Sequence, residues 1–367
     1  MEAIVRADAS IKIGTGHIMR CLALAEALPK TECKVTFICR NLPETLRELI
    51  EKKGFLVHYL PETGYRYETI SQTDWEIDVK QTIDCISKKH QQIDWLIVDN
   101  YELDYRWELQ LRPYVEKIMA IDDLANRQHD CDLLLDQNFY KNLQTRYDNL
   151  VPAGCEKLLG PKYALLRPEF KQVRQHLRSR DGTVKRILVS FGGSDATNET
   201  TKALLAIASL NRPDIAVDVV VGASNPYREP VRQMCAKIPN ANFYCQVTNM
   251  AELMAIADLA IAAGGTTTWE RCFLGLPSIT IAIAQNQLET TAAVASAGAT
   301  WHLGWCSDVS VQDLTKIIQQ ALLNPSLLKE MSRRAIKLMQ THKPHARNLV
   351  VQALMDLVNA TPRRLPT

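Results

Sequence analysis

The feature that most constrains this chain is a strand–helix alternation that runs through its first half, breaks, and then starts again. Short apolar or β-branched runs at residues 3–7, 34–39, 55–58, 95–99, 117–122 and 132–136 predict strands. Between them, apolar residues at helical spacing predict helices over 18–28, 42–52 and 77–89, with Pro43 tolerated in a first turn and Gly54 acting as a stop. Residues 141–183 are polar and carry Pro152, Gly154, Gly160, Pro161 and Pro168, the composition of a crossover that becomes helical in its later half. The rhythm resumes with strands at 186–191, 216–221, 242–245, 259–263 and 278–283, and helices at 197–209, 250–257, 267–274 and 288–297. Helices over 311–323, 327–340 and 345–359 close the chain. Strands that alternate with helices imply parallel sheets covered on both faces. The expectation is therefore two α/β domains, an N-terminal one over 1–150 and a C-terminal one over 184–305. A crossover at 151–183 joins them, and the helical tail 306–367 is expected to pack back on the first. Ligands of such sheets bind at the carboxyl ends of the strands, which places the functional loops at a cleft between the domains.

Composition narrows the partners. The 43 basic and 41 acidic side chains nearly cancel, and no basic stripe interleaves with aromatics, so nucleic acid is not expected. No apolar run is long enough to span a bilayer, and the first ten residues lack a signal pattern. The ten cysteines are scattered singly without a CxxC pair, which reads as reduced thiols in a cytoplasmic protein. Asp122-Asp123 has no companion cluster at ligand spacing and reads as structural, so neither a metal nor a cofactor is expected.

Two Gly-rich loops are the strongest candidates for chemistry. In Gly14-Thr15-Gly16-His17, with Arg20 one turn on, the glycines allow close backbone approach at a helix start. It is neither a Walker loop nor a dinucleotide fingerprint, and a plain tight turn is an equal alternative. An imidazole in a first helical turn is favoured in its neutral form, which can accept a proton from water. Asp8, ending the first strand, is a candidate to orient His17 or the water. In Gly264-Gly265-Thr266-Thr267-Thr268, backbone N–H groups and hydroxyls suit a diphosphate, and Glu270 one turn later suits a ribose diol. Gly192-Gly193-Ser194 can line the same diphosphate, although an Asp or Ser cap explains that loop nearly as well. Thr248-Asn249-Met250 can read a base edge, and Asn286-Gln287 suits sugar hydroxyls or acetamido groups. Each of these two also reads as ordinary loop or cap residues. Tyr101, in Asp99-Asn100-Tyr101, and Asn138 follow strands of the first half and can contact a sugar, or simply form a solvated rim.

Taken in order, Arg6-x-Asp8 with Ile13-Gly14-x-Gly16-His17-x-x-Arg20-Cys21, Asp99-x-Tyr101, Tyr163-x-Leu165-Leu166-Arg167-Pro168-x-Phe170, Ser190 to Asp195, and Gly264 to Cys272 with Asn286-Gln287 carry a family likeness. The chain resembles the pseudaminic acid pathway hydrolases, which cleave UDP-2,4-diacetamido-2,4,6-trideoxy-β-L-altropyranose. The likeness covers roughly residues 1 to 300. It implies a glycosyltransferase-B fold, two Rossmann-like domains facing across a cleft, with UDP on the C-terminal side and the sugar on the N-terminal side. It implies His17 as the base that activates water, with C–O cleavage, inversion and no metal. Glu270 would hold the ribose, Met250 and its neighbours the uracil, Gly265 to Thr267 the diphosphate, and Arg167 would lie near the substrate. A glycosyltransferase with a UDP-sugar donor and a hydroxyl acceptor is the alternative.

Overall fold

The computed structural model describes residues 1–10, 13–29, 32–61, 74–87, 92–339 and 348–359, which form two units. The first contains residues 1–138, 142–165 and the last helix. Its strands are β1 (Glu2–Ala7), β2 (Lys34–Cys39), β3 (Leu56–Tyr59), β4 (Ile93–Asp99), β5 (Val115–Ile121), β6 (Leu133–Asp136) and β7 (Glu156–Leu159). They make one parallel sheet in the order β3-β2-β1-β4-β5-β6-β7. The helices are α1 (Gly16–Ala27), α2 (Glu44–Lys52), α3 (Asp74–Ser87) and α4 (Tyr105–Leu111). Side chains alternate across a strand, so a central strand that buries both faces feeds two cores. Ala3, Val5, Trp95, Ile97, Met119 and Ile121 enter one, and Ile4, Leu96, Val98, Ile118 and Ala120 the other.

The second unit contains residues 139–141 and the chain from Leu166. Its strands are β8 (Arg186–Ser190), β9 (Ala216–Val221), β10 (Ala241–Cys245), β11 (Leu259–Ala263), β12 (Ser278–Ala282) and β13 (Trp301–Trp305), parallel in the order β10-β9-β8-β11-β12-β13. Around it run α5 (Pro168–Arg174), α6 (Glu199–Ser209), α7 (Arg228–Cys235), α8 (Met250–Ile256), α9 (Thr267–Phe273), α10 (Gln285–Ser296), α11 (Val311–Leu323) and α12 (Pro325–Leu338). A reciprocal Ser310–Asp313 capping box starts α11, which packs on α6, while α12 packs on α9. The final helix, α13 (Leu349–Asn359), belongs to the first unit. Val350, Ala353 and Leu354 enter its core, and the Trp95 indole donates to the Leu354 carbonyl at 3.3 Å.

Four elements escape sequence patterning: α4, β7, α7 and β13. The stretch read as a polar crossover supplies β7, an edge strand that opens with Glu156-Lys157 and so shows no apolar run. In β13, Gly304 at φ +106° and a register shift opposite Thr280–Ala282 break the period of two. The expected helical residues 88–89, 340 and 345–347 lie outside the described residues.

One ion cluster ties the first sheet to its helices. Arg6 on β1 donates from Nε and Nη2 to both carboxylate oxygens of Asp78 on α3, at 3.2 and 2.7 Å. Arg40 and the Trp107 indole donate to the same carboxylate at 2.9 and 3.0 Å. Burial alone pushes the Asp78 carboxyl up, but Arg6 and Arg40 outweigh it and hold it down to about 2. A carboxylate whose folded value is depressed contributes stability above its unfolded value and loses it as pH falls through the folded one. The Asp78 contribution, on the order of 2 kcal/mol for a shift of this size, is thus expected to be complete above about pH 4. It should disappear between about pH 4 and pH 2. Denaturant titrations across that range should show Asp78→Asn less stable than the parent at pH 7, with the gap closing on acidification. A constant gap would remove Asp78 from the acid limb.

Candidate functional site

Two loop clusters carry the candidate chemistry, one on each unit. In the first, Gly14 at φ +81° makes the left-handed turn that leads into α1, closed by its N–H donating to the Ser10 carbonyl at 2.8 Å. Thr15 is the N-cap but bonds no helix N–H through its side chain. Gly16 and His17 open the helix, and Arg20 follows one turn later on the same face. That face meets the carboxyl end of β4, the neighbour of β1, where Ala7 pairs with Asp99.

Asp99 is fully buried and is the hub. His17 Nδ1 lies 2.5 Å from its Oδ1. Arg20 forks onto it, Nε to Oδ2 and Nη2 to Oδ1, each at 2.6 Å. The Cys21 thiol donates to Oδ2 at 3.4 Å. The remaining Arg20 arm, Nη1, donates to Asp123 Oδ2 at 2.9 Å, and the Tyr101 hydroxyl donates to Asp123 Oδ1 at 2.6 Å. The Tyr101 ring stands edge-on to the imidazole, with centroids 4.6 Å apart. Burial pushes the Asp99 carboxyl up, yet the Arg20 guanidinium and His17 outweigh burial and hold it well below the usual carboxylate range. Burial and the Asp123 charge push the Tyr101 phenol up, so it keeps its proton and remains a donor. An ionised carboxylate only accepts, so the 2.5 Å contact to Asp99, shorter than the 3.3 Å approach of Arg20 Nη2 to the same nitrogen, favours the hydrogen of neutral His17 on Nδ1 and a lone pair on Nε2.

This arrangement places three acids named in the sequence analysis. Asp99, in a segment expected to contact a sugar or form a solvated rim, is instead fully buried against His17. Asp8, the candidate to orient His17 or the water, accepts the Arg40 and Asn41 backbone N–H groups at 2.7 and 2.9 Å and the Asn100 amide at 3.1 Å. Asp123, read as structural, joins the cluster through Arg20 and Tyr101. The readable signal was Asp99 at the end of an apolar strand, with His17 and Arg20 three residues apart on a facing helix. Asn138 lies beyond β6, two strands over from β4, and its backbone N–H donates to Asp136 Oδ1 at 2.9 Å. Burial and the nearby Asp123 push the Asp136 carboxyl up to about 7.

In the second unit, the neighbouring strands β8, β11 and β12 deliver three loops to one sheet edge. After β11, Gly264 has no room for a side chain: a Cβ there would sit 2.1 Å from the Thr291 hydroxyl of α10. Gly265 faces the side-chain amide nitrogen of Gln287, whose Oε1 accepts the Ile283 N–H at 3.1 Å. Asn286 stands beside Gln287 in the first turn of α10. Thr266 caps α9 without a side-chain bond to it, Thr267 begins the helix, and Glu270 follows in its first turn. Glu270 Oε1 accepts Arg167 Nε at 3.0 Å, while its Oε2 is buried without a hydrogen-bond partner among the described residues. Arg167 also reaches Glu169 at 3.0 Å and lies over the Phe170 ring. After β8, Gly192 turns at φ +89°, and the Gly193 carbonyl accepts the Ser224 hydroxyl at 3.0 Å. Ser194 leads to Asp195, whose carboxylate accepts the Glu199 and Thr200 N–H groups at 2.9 and 3.0 Å. That acid satisfies two N–H groups at the start of α6 from three residues before the N-cap Asn198. Thr248, Asn249 and Met250 follow the edge strand β10, and the Asn249 side chain makes no cap bond to α8.

Residues 186–349 match the glycosyltransferase family 28 C-terminal domain. The chain is 28% identical over 295 residues to an uncharacterized protein of Methanocaldococcus jannaschii, covering 79% of this chain and 57% of that one, so it spans little more than half of that relative. It is 29% identical over 300 residues to the UDP-2,4-diacetamido-2,4,6-trideoxy-β-L-altropyranose hydrolase of Campylobacter jejuni, covering 81% of this chain and 97% of that one. The solved structure of Acinetobacter baumannii MurG superposes with a TM-score of 0.64 at 17% identity, over 98% of this chain and 99% of that one. The fold is thus the glycosyltransferase-B fold expected from the sequence. Together the similarities support a nucleotide-sugar enzyme of that type.

The tautomer can be checked directly. In ¹⁵N-labelled protein, neutral His17 should show a protonated Nδ1 and an unprotonated Nε2. Asp99→Asn, whose amide can also donate, should abolish that preference. An unchanged tautomer in the variant would mean that Asp99 does not orient the ring.

Proposed function

We propose that this chain is a hydrolase that cleaves UDP-2,4-diacetamido-2,4,6-trideoxy-β-L-altropyranose to UDP and the free sugar. The observation that carries the reading is the 2.5 Å contact of His17 Nδ1 with the buried Asp99 carboxylate, which favours the tautomer with a lone pair on Nε2. The hydrolase from Campylobacter, aligned over nearly its whole length, supports the substrate. In the reaction, a water oxygen bonds to the anomeric carbon while its proton passes to His17 Nε2. The bond from that carbon to the β-phosphate oxygen breaks, and UDP leaves with the electron pair, inverting the centre. Proton removal by a positioned imidazole is worth about 10²–10⁴ in rate. Glu270, with its unpartnered Oε2, would take the ribose diol, and Gly264 to Thr267 with Gln287 the diphosphate. Thr248 to Met250 would take the base. Gly14 to His17, Tyr101 and Asn138 would serve the sugar side, and Asn286 its acetamido groups. The Arg20 guanidinium serves the base by fixing Asp99, and Arg167 serves the ribose by fixing Glu270.

A second reading, transfer of the sugar to a hydroxyl acceptor, is favoured by the family 28 match over 186–349. The same base would then deprotonate an alcohol. Purified protein given the UDP-sugar alone should release UDP; release that waits for an added acceptor would establish the transferase. In H₂¹⁸O the label should enter the free sugar, and label in UDP would overturn attack at the anomeric carbon. His17→Asn should lower turnover by about 10²–10⁴ with UDP affinity nearly unchanged. Parallel loss of both would make His17 structural. Activity should persist in EDTA, and a requirement for Mg²⁺ would contradict this mechanism.

A further inference from the structure

Arg271 stands out among the buried cations of the second unit. It is 2% exposed, and its guanidinium pairs with no carboxylate among the described residues. Its partners are four neutral oxygens: Nε donates to Ser278 Oγ at 3.1 Å and Nη1 to Thr267 Oγ1 at 3.0 Å, while Nη2 donates to the Ala263 carbonyl at 3.0 Å and Thr268 Oγ1 at 3.1 Å. Glu270, the adjacent acid, is turned to Arg167 instead. Burying a charge without a counter-charge is costly, and the buried arginines described in the first unit avoid it. Arg6 is matched by Asp78 and Asp8, and Arg20 by Asp99 and Asp123. The other buried guanidinium of this unit, Arg180, lies on the carbonyls of Met254, Ala255, Ala257 and Leu274 at the ends of α8 and α9, where the helix dipoles are negative. Arg271 has the opposite placement. Its guanidinium contacts the first turn of α9, the end where a positive charge is disfavoured. Burial draws the group down to about 10, which leaves it protonated at neutral pH.

We propose that Arg271 is the electrostatic anchor of the nucleotide's diphosphate. It is a buried cation whose counter-charge is the ligand, and it acts from behind the Gly264–Thr268 loop through Thr267 and Thr268. The inference rests on the reading of that loop as the diphosphate site. Arg271 is a positioning residue here: it fixes the two hydroxyls and the Ala263 carbonyl that shape the loop, and it supplies positive charge without facing solvent. A purely structural arginine would support the loop equally for any ligand. An electrostatic anchor distinguishes ligands with phosphates from those without.

Calorimetric titration of the full chain with UDP and with uridine separates the two. The parent should bind UDP far more tightly than uridine; failure to bind UDP would sink the diphosphate site itself. Arg271→Met should weaken UDP by at least about tenfold, the size expected for losing charge-assisted contacts, and leave uridine nearly unchanged. Arg271→Lys keeps the charge without the four-point fork, and should fall between parent and Met variant. If the Met variant does not fold, the Lys variant decides alone, with a severalfold loss for UDP only. A UDP-to-uridine affinity ratio equal to the parent's in either variant, or a parallel loss of both ligands, would overturn the proposal.

Discussion

The buried Asp99 carboxylate is the constraint on which the first unit's site depends. A carboxylate fully withdrawn from water must be paired, and leaving such a charge unpaired costs roughly 3–5 kcal/mol. Arg20 meets that demand with a two-point fork, but only because α1 starts where it does. The Gly14 turn sets the start, the adjacency of β1 and β4 brings Asp99 to it, and helical spacing then puts His17 on the same face as Arg20. Once the carboxylate is held ionised, the imidazole has little choice of tautomer. The base role proposed for Nε2 rests on this packing requirement at Nδ1.

On the proposed function the second unit has a different task, which is to leave positive potential available to a ligand. One loop forgoes the chance: Asp195 fills the start of α6 with the protein's own carboxylate. The Gly264 loop leaves its N–H groups without such an acid. Thr291 packs where a Gly264 side chain would stand, so backbone and α10 close up with Gln287 at the rim. Two neighbouring strand ends of similar composition, both reading Gly-Gly followed by a hydroxyl residue, thus have opposite electrostatic outcomes. The deciding residue is the acid two positions after the second glycine in one loop, absent from the other.

Much of this was legible in the sequence. Long apolar strands such as 95–99 and 259–263 and periodic helices such as 311–323 stand out because tertiary burial and local pattern agree. The elements that escaped are those where they disagree: β7 is an edge strand with a charged start, and β13 is broken by Gly304. The Gly-rich loops and Glu270 could be found because backbone approach needs particular residues. The Asp99–Arg20–Asp123 cluster could not be assembled from spacing, since its members are about eighty and a hundred residues apart and meet only through strand order. Arg271 was invisible for a different reason, since its partners all lie within eight residues of it. Nothing in Trp269-Glu270-Arg271-Cys272 shows that the arginine turns inward onto hydroxyls while the acid turns to Arg167.

In the proposed hydrolysis, the two units carry local charge of opposite sign, each within its own loops. A base that takes a proton becomes a cation and is helped by surplus negative charge around it. Around His17, two carboxylates, Asp99 and Asp123, face one guanidinium, so the cluster carries one negative charge in excess. Protonation of the imidazole brings it to neutrality. On that proposal a departing diphosphate gains negative charge and would be helped by the reverse, for which Arg271 and the Gly264 loop are suited. Were both sets mounted on one loop, each would neutralise the other: Asp99 would pair with the cation meant for phosphate, and the base would lose its counter-charge. Mounting them on separate parallel sheets keeps each carboxylate and each guanidinium committed to its own task.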